Sequence, residues 1–354
     1  MKVLSVVGAR PQFVKLAPIA TAMSKDEIQH VIVHTGQHYD PVMSDVFFTS
    51  LGIPTPDVHF GIGSGTHASQ TGAMLMALEA VMEQERPDWT LVYGDTNSTL
   101  AAALAAVKIH LRVAHLEAGL RSFNRRMPEE HNRVLTDHAA DILLAPTDVA
   151  MQHLINEGLG ARAIKVGDVM TDVCFQTRDA VVGMPAKLPE EVGADEPYIV
   201  ATIHRADNTD NRERLLAIVC ALQSLSAPVV LLAHPRLVAR AAAFGLELNG
   251  GAVHAVAPLD YLQMVRLVLG AAGVVTDSGG LQKEAYLLGV PCVTLRSETE
   301  WVETIEDGWN ILDPDLVHVH GRALRPKPAA PVAQPFGDGL AAARVVATLR
   351  DRTG

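Results

Sequence analysis

The residues most suited to chemistry in this 354-residue chain are carboxylates that follow short apolar runs. Asp95 comes after WTLVY, Glu117 lies inside VAHLEAG, and the pair Glu129 and Glu130 follows a proline. A carboxylate beside buried strand residues costs free energy unless it is paired or used. Several that converge would serve proton transfer or the stabilisation of positive charge.

The segment TDSGGLQKEA predicts an anion site at the start of a helix. Ser278, Gly279 and Gly280 follow the apolar run GVVT and begin a helical pattern. Free backbone N–H groups at a helix N-terminus bind phosphate well. Glu284 lies about one turn further on, where a carboxylate could accept hydrogen bonds from ribose hydroxyls. The alternative is an ordinary helix cap with a solvated glutamate.

Histidines and cations follow other predicted strands. His204 and Arg205 come after YIVATI, His234 after PVVLLA and Arg10 after KVLSVVGA, with Lys15 about one helical turn beyond Arg10. A lone histidine at such a place is more often structural than catalytic. The carboxyl ends of parallel strands, however, are where α/β sheets bind ligands. The shared position of these residues and the carboxylates therefore favours a site.

Strand-like and helix-like segments alternate along the chain, which predicts an α/β fold with doubly wound parallel sheets. The first series of strands is KVLSVVG, HVIVHTG, WTLVYGD, VAHLEAG and DILLAPT, and the second is YIVATIH, PVVLLAH, AVHAVAP, GVVTDSG and PCVTLR. Between the two series, 171–196 is the expected linker. The length also favours two domains, because single cores rarely grow beyond about 300 residues.

Composition excludes several other classes of protein. The net charge of −11 argues against a broad nucleic-acid surface or an anionic-membrane surface. No apolar run approaches the roughly 18 residues of a membrane span. The cysteines Cys174, Cys220 and Cys292 form no CxxC pair, so we expect reduced thiols and a cytoplasmic protein without a metal site.

Five motifs together resemble the non-hydrolysing UDP-N-acetylglucosamine 2-epimerase family. They occur in the family's order: GARPQFVK, VYGDTNSTL, HLEAGLRS with MPEEHNR, IHRADN, and TDSGGLQKEA. The resemblance implies a GT-B fold, with two Rossmann-like domains and an interdomain cleft. It places the last helix on the first domain, so the expected domains are 1–170 with 337–354, and 171–336.

The family inverts C2 of a UDP-2-acetamido sugar by eliminating UDP to a 2-acetamidoglucal and adding it back. The resemblance places the functional carboxylates at Asp95, Glu117 and Glu129, and the catalytic histidine at His204. It gives a substrate-binding role to Lys15.

The remaining positions concern the nucleotide. Arg10 and the turn formed by Ser278, Gly279 and Gly280 match the diphosphate-binding positions, and Glu284 matches the ribose-binding carboxylate. We also assign Arg205 and His234 to substrate binding. We expect a homodimer whose partner molecule is a UDP-sugar, with no cofactor.

The sequence departs from the common family pattern at two places. Trp301 stands where an arginine is usual, and the TEWVE segment resembles the subgroup that epimerises UDP-2,3-diacetamido-2,3-dideoxy-glucuronate. The family's activating second site uses glutamines after a Gln-His motif. Here Tyr39, Asp40 and Pro41 follow the Gln37-His38 pair. This argues against that activation. UDP-N-acetylglucosamine is the expected substrate, and the diacetamido sugar is the alternative.

Two other classes of enzyme stay open at this point. A GT-B glycosyltransferase would share the SGG turn and Glu284, but it would not need Asp95, Glu117 and Glu129 together. A hydrolysing epimerase would use much the same fold and carboxylates while releasing free N-acetylmannosamine.

Overall fold

The structure is a computed structural model that describes residues 1–37, 53–193, 195–306, 308–328 and 334–353, without the side chain of Arg10. The chain forms two compact units. Unit 1 comprises Met1–Val173 and Gln334–Gly354, and unit 2 comprises Cys174–Ala333. The domain limits expected from the sequence, at 170 and 336, stay a prediction.

The strands described in unit 1 are β1 (Lys2–Val7), β2 (Gln29–His34), β3 (Val58–His59), β4 (Trp89–Tyr93), β5 (Val113–Leu116), β6 (Ile142–Ala145) and β7 (Ala163–Lys165). They form one parallel sheet with the order β3-β2-β1-β4-β5-β6-β7. The order changes direction between β1 and β4, and α/β sheets bind ligands at such a switch point.

Apolar side chains on both faces bury this sheet. Val3, Ile32 and Leu91 lie on one face of the sheet, Leu4 and Val33 lie on the other, and each is at most 1% exposed. Such near-continuous apolar runs are typical of parallel strands covered by helices. The helices before residue 182 are Arg10–Lys25, His67–Glu85, Asn97–Lys108, Pro128–Ala139, Asp148–Asn156 and Val169–Val181, with a 3₁₀ turn at Gly160–Arg162.

Unit 2 repeats the plan with the strands β8 (Ile199–Thr202), β9 (Val229–Leu232), β10 (Val253–Val256), β11 (Gly273–Thr276), β12 (Cys292–Thr294) and β13 (Asn310–Leu312). They form a parallel sheet in the order β10-β9-β8-β11-β12-β13, whose switch point lies between β8 and β11. Its helices are Ala206–Thr209, Arg212–Gln223, Pro235–Phe244, Tyr261–Leu269, Gly279–Leu287, Glu303–Glu306 and Val319–Arg322. No helix among the described residues combines the length and apolarity needed to cross a bilayer.

The expected linker is wrong over its first part. The helix Val169–Val181 occupies the start of 171–196, and Val173, Cys174 and Val181 on it are buried. The prolines and glycines that suggested a linker, Gly183, Pro185, Pro189 and Gly193, all lie beyond the end of this helix. Only 182–193 and 195–196 lack helix and strand among the described residues of this segment.

The last helix, Ala341–Asp351, packs into the core of unit 1 through Val345, Val346 and Leu349, which are fully buried. The N-terminus of this helix has no cap from its own flanking residues. Asp172 supplies the cap instead, because its two carboxylate oxygens accept hydrogen bonds from the backbone of Ala341 at 3.0 Å and Ala342 at 2.8 Å.

Replacing that carboxylate should loosen the last helix. In Asp172→Ala, two buried N–H groups lose their acceptor, which should cost about 2 kcal/mol, or roughly 30-fold faster amide exchange in the 341–351 segment. Hydrogen exchange followed by mass spectrometry measures this directly. Asp179→Ala on the helix that carries Asp172 removes an exposed carboxylate and should change nothing there. Equal exchange in both variants would contradict the capping role.

Candidate functional site

A cavity of about 410 Å³ opens in unit 1 at the switch point of its sheet. Ala9 and Pro11, which follow β1, and Asp95, which follows β4, contribute to its wall. Polar side chains on the wall include carboxylates, carboxamides and an imidazole, namely Gln37, His67, Gln70, Asp95, Asn97, Glu129 and Asn132. The structure therefore brings Asp95 and Glu129 to one cavity.

Asp95 is held at this wall by two residues of the helix Pro128–Ala139. The Arg133 guanidinium lies 2.5 Å from the Asp95 carboxylate, and the Asn132 amide donates to the Asp95 carbonyl at 2.8 Å. The Asp95 side chain is 31% exposed, so it keeps contact with solvent. The hydroxyl of Thr96, and not Asp95, caps the helix Asn97–Lys108.

The adjacent carboxylates Glu129 and Glu130 have different environments. Glu130 is buried and accepts hydrogen bonds from Ser122, from the backbone of Phe123 and from Arg133. Burial disfavours its charge, but these donors outweigh burial and lower the pKa of Glu130. Glu130 thus anchors a loop, whereas Glu129 faces the cavity.

Glu117 forms an ion pair with Lys15, just past the end of β5. Both side chains are about nine-tenths buried. The backbone of Glu117 adopts a left-handed conformation, with φ of 71°, and its N–H donates to the Leu144 carbonyl. Burial opposes the charge of Lys15, yet Glu117 and Asp95 outweigh it, so the pKa of Lys15 is raised. A strained non-glycine residue with a buried charge is a feature of functional sites.

A glycine makes room for this ion pair. Gly94 lies between β4 and Asp95 with φ of 62°, and a Cβ at this position would come within 3.2 Å of the Glu117 carboxylate. The strands β4 and β5 pair so that Tyr93 lies opposite Leu116. Asp95 and Glu117 therefore leave neighbouring strands at the same level.

The turn after β1 is closed by Gln12, which the sequence did not single out. The side-chain oxygen Oε1 of Gln12 accepts hydrogen bonds from the backbone N–H groups of Gly8 at 2.8 Å and Ala9 at 3.0 Å. These two N–H groups are therefore occupied within the turn. Arg10 begins the following helix, and its side chain lies outside the described part of the chain. Tyr39, Asp40 and Pro41 also lie outside it.

In unit 2, a buried aspartate organises the turn that follows β8. Asp277 accepts hydrogen bonds from the backbone of His204 and Arg205 and from the Asn208 side chain. Its carboxylate also lies 3.1 Å from Nδ1 of His204, and the pKa of Asp277 is lowered because these contacts outweigh its burial. This contact orients the imidazole and directs its Nε2 away from Asp277.

The imidazole of His204 is partly exposed and lies 5.5 Å from the ring of His234. His234 begins the helix Pro235–Phe244, and its Nδ1 accepts a hydrogen bond from the backbone of Arg236. His234 therefore has a capping role.

The helix Gly279–Leu287, which Ser278 caps, starts beside the Arg296 guanidinium. The Glu300 carboxylate is also close, because a Cβ at Gly279 would come within 2.4 Å of it. Arg296 pairs with Glu300 at 3.0 Å, and its buried Nη1 has no hydrogen-bond partner among the described residues. Burial, and then the charge of Arg296, lowers the pKa of Arg205.

Gly280 is exposed at this helix start, and Glu284 is buried one turn further along. The exposed N–H groups of this helix start and the nearby Arg296 guanidinium are donors suited to an anion.

The Trp301 ring does not offer a bare stacking face on both sides. It is 5% exposed, and the Lys283 ammonium lies 3.8 Å from the ring centroid. The position at which the family usually carries an arginine is therefore filled by a buried ring that stacks on a cation from the helix Gly279–Leu287.

Sequence reasoning missed several residues that hold the site together. Asn132 and Arg133 follow Glu129 by one helical turn, and that spacing could have revealed them. Asp277 lies in the TDSGGLQKEA motif directly before the SGG turn, and that position could have revealed it. Arg296 carried no signal of its own. Across the described residues, no group of three or more His, Cys, Asp or Glu side chains is arranged to hold a metal ion.

Comparisons with known proteins identify the family of this chain. A family model described as UDP-N-acetylglucosamine 2-epimerase matches residues 21–350. The chain is 46% identical to the UDP-2,3-diacetamido-2,3-dideoxy-D-glucuronate 2-epimerase of Pseudomonas aeruginosa, with 98% of each chain covered. It is 44% identical to a UDP-N-acetylglucosamine 2-epimerase homolog of Methanococcus maripaludis, with 99% of this chain and 100% of that one covered.

A solved structure is similar over the same length. The crystal structure of Methanocaldococcus jannaschii UDP-GlcNAc 2-epimerase in complex with UDP-GlcNAc and UDP has a TM-score of 0.87 and 40% identity, with 99% of this chain and 100% of that chain covered. The GT-B fold, with two Rossmann-like sheets, is thereby confirmed. The chain belongs to the non-hydrolysing UDP-N-acetylglucosamine 2-epimerase family and is an epimerase-type isomerase.

Proposed function

We propose that this enzyme interconverts UDP-N-acetylglucosamine and UDP-N-acetylmannosamine by inverting C2 without hydrolysis. The observation that carries the proposal is the grouping of Asp95, Glu117 and Glu129 in unit 1, with Asp95 and Glu129 on the wall of one cavity. A similar structure, that of the Methanocaldococcus jannaschii epimerase, contains UDP-GlcNAc and UDP, which supports this choice of substrate.

The chemistry explains why several carboxylates are needed. The C2–H bond of the sugar is not next to a carbonyl, so an ordinary base cannot remove its proton near neutral pH. Cleavage of the C1–O bond places positive charge on C1 and makes C2–H acidic. The products are UDP and a 2-acetamidoglucal. Addition of UDP to C1, with a proton delivered to the opposite face of C2, gives the epimer.

Unit 1 supplies the proton-transfer groups in this proposal. Asp95 and Glu129 reach the cavity, so we assign them the two faces of C2. Glu117 is buried against Lys15, and we assign this pair to stabilising the charge that develops at C1 and to orienting the sugar. Arg133 keeps the Asp95 side chain in place.

Unit 2 supplies the anion-binding groups. The start of the helix Gly279–Leu287 and the Arg205 and Arg296 guanidiniums would receive the diphosphate. Glu284, one turn into that helix, would accept hydrogen bonds from the ribose. His204, oriented by Asp277, would donate to the leaving oxygen. Arg10 at the start of its helix and His234 beside His204 would add contacts to the nucleotide sugar.

A second candidate substrate has its own support. The relative from Pseudomonas aeruginosa, at 46% identity, acts on UDP-2,3-diacetamido-2,3-dideoxy-D-glucuronate. The carboxamides that line the cavity, Gln37, Gln70, Asn97 and Asn132, would suit an additional acetamido group. For either sugar we propose a homodimer in the cytoplasm that uses no cofactor.

Removing single carboxylates should abolish most of the turnover. Asp95→Asn, Glu117→Gln and Glu129→Gln should each lower kcat by roughly 100-fold or more, because each loses a charge that the reaction uses. Steady-state rates with UDP-N-acetylglucosamine check this. Asp148→Asn is a matched control, since Asp148 also begins a helix after a strand of the same sheet but is exposed and paired with Lys165.

The control should keep its rate and its thermal stability. A variant of Asp95, Glu117 or Glu129 that turns over like the unchanged enzyme would remove that residue from the mechanism.

Proton NMR of reaction mixtures should identify both the reaction and the sugar. With UDP-N-acetylglucosamine we expect UDP-N-acetylmannosamine to appear, with no free N-acetylmannosamine. Release of the free sugar would indicate a hydrolysing epimerase, and transfer to an acceptor would indicate a glycosyltransferase. Comparing kcat/KM for the two UDP-sugars then decides specificity, and a preference of about 100-fold for the diacetamido sugar would overturn our choice of substrate.

A further inference from the structure

A fully buried histidine lies between the two turns that carry the carboxylates. His115 is on β5 and is 0% exposed. Its Nε2 is 2.7 Å from the carbonyl oxygen of Gly94, and its Nδ1 is 2.7 Å from the carboxylate of Asp137. The mechanism above uses neither His115 nor Asp137.

The contacts of His115 fix where its protons are. A carbonyl oxygen can only accept a hydrogen bond, so Nε2 must carry a proton. An ionised carboxylate can also only accept, so Nδ1 carries a proton as well when Asp137 is charged. Asp137 is charged in this environment, since its second oxygen accepts from the Gly119 N–H at 3.1 Å and faces the Arg121 guanidinium at 2.7 Å. Although burial opposes its charge, His115 and Arg121 lower the pKa of Asp137.

The charges around the ring balance when His115 is a cation. Arg121 also pairs with Glu157 at 2.7 Å, and the partly exposed His138 approaches Glu157 from outside at 3.5 Å. The set of His115, Asp137, Arg121 and Glu157, here the His115 cluster, then contains two anions and two cations. A neutral His115 would leave an excess negative charge at a site where Asp137 is fully buried, which is costly.

The His115 cluster holds the backbone on both sides of the reacting groups. The Gly94 carbonyl directly precedes Asp95. The Gly119 N–H closes the turn that begins at Glu117, and this turn has no room to shift, because a Cβ at Gly119 would lie 2.4 Å from the Ala150 carbonyl. One imidazole and its carboxylate partner therefore set the distance between the two turns.

We propose that His115 is a positioning residue that donates a hydrogen bond from each ring nitrogen and thereby fixes the spacing of Asp95 and Glu117 for proton transfer. Its role in turnover rests on the proposed function, whereas its protonation state does not. A small change in the position of reacting groups can cost about 100-fold in rate, so loss of this spacing should affect kcat more than KM.

A pair of amide variants separates the two hydrogen bonds of the ring. The amide nitrogen of asparagine approximates Nδ1, and that of glutamine approximates Nε2. His115→Asn should release Gly94 and lower kcat by roughly 100-fold with KM changed only a few-fold. His115→Gln keeps the donor to Gly94 and should retain about ten times more kcat than His115→Asn. A purely structural role would lower the two kcat values in proportion to the loss of stability.

His30 provides a matched control. It is a largely buried histidine on β2, bonded at 2.8 Å to Ser5, and it contacts neither turn. Burial lowers the pKa of His30 to about 4, so it is neutral in the folded enzyme. His30→Gln should leave kcat unchanged even where it lowers the thermal stability. A loss of kcat equal to that of His115→Asn would contradict a specific role for His115.

Nitrogen NMR on the unchanged enzyme tests the protonation state without any variant. With ¹⁵N-labelled histidine, both ring nitrogens of His115 should resonate as protonated nitrogens, because one faces a carbonyl oxygen and the other faces a carboxylate. A ring nitrogen of the unprotonated type would overturn the inference. Wild-type protein that epimerises neither sugar would contradict the proposed function instead.

Discussion

Both units depend on the parallel pairing of their strands. Because every described pair within the two sheets is parallel, the carboxyl ends of all strands lie at one edge of each sheet. Asp95 and Glu117 follow the neighbouring strands β4 and β5, and His204 and Asp277 follow the neighbouring strands β8 and β11. Residues that are far apart in sequence therefore become neighbours without any long loop to position them.

Concentrating carboxylates at such an edge is costly, and the structure offsets part of the cost by pairing several of them with cations. Lys15 pairs with Glu117, and Arg133 pairs with Asp95. In unit 2, Arg296 pairs with Glu300 and lowers the pKa of this otherwise disfavoured buried carboxylate. These pairs are worth more for their geometry than for stability, since buried ion pairs roughly break even against apolar packing. They hold charged groups ready in fixed positions, which is the main electrostatic contribution to catalysis.

The sequence predicted the buried strands and the edge strand β10, and it missed the other three edge strands. Each predicted strand corresponds to an observed one, whereas β3, β7 and β13 were not anticipated. All three lie at sheet edges, have two or three residues and include partly exposed positions, so no continuous apolar run marks them. The helix Val169–Val181 was missed for another reason: its periodicity is weak, and the glycine and prolines that follow it, Gly183, Pro185 and Pro189, indicated a linker.

For the site, the sequence could place residues at strand ends but could not show how they are paired. The division of roles between Glu129 and Glu130 depends on the Ser122–Phe123 backbone, which only the fold brings to Glu130. The burial of Trp301 against Lys283 could not be read from a motif either, because it joins two separate segments of unit 2. What the motifs carried was the type of chemistry. What they lacked was the environment of each group.

Epimerisation in D₂O tests the central claim most directly, because it reports on the one bond that the mechanism must break and re-form. Proton loss and return at C2 predict product with one solvent deuterium at C2, observed by proton NMR as loss of the H2 signal and collapse of its coupling to H1. Product that keeps its original hydrogen at C2 would contradict the assignment of Asp95, Glu117 and Glu129 to an elimination and re-addition of UDP.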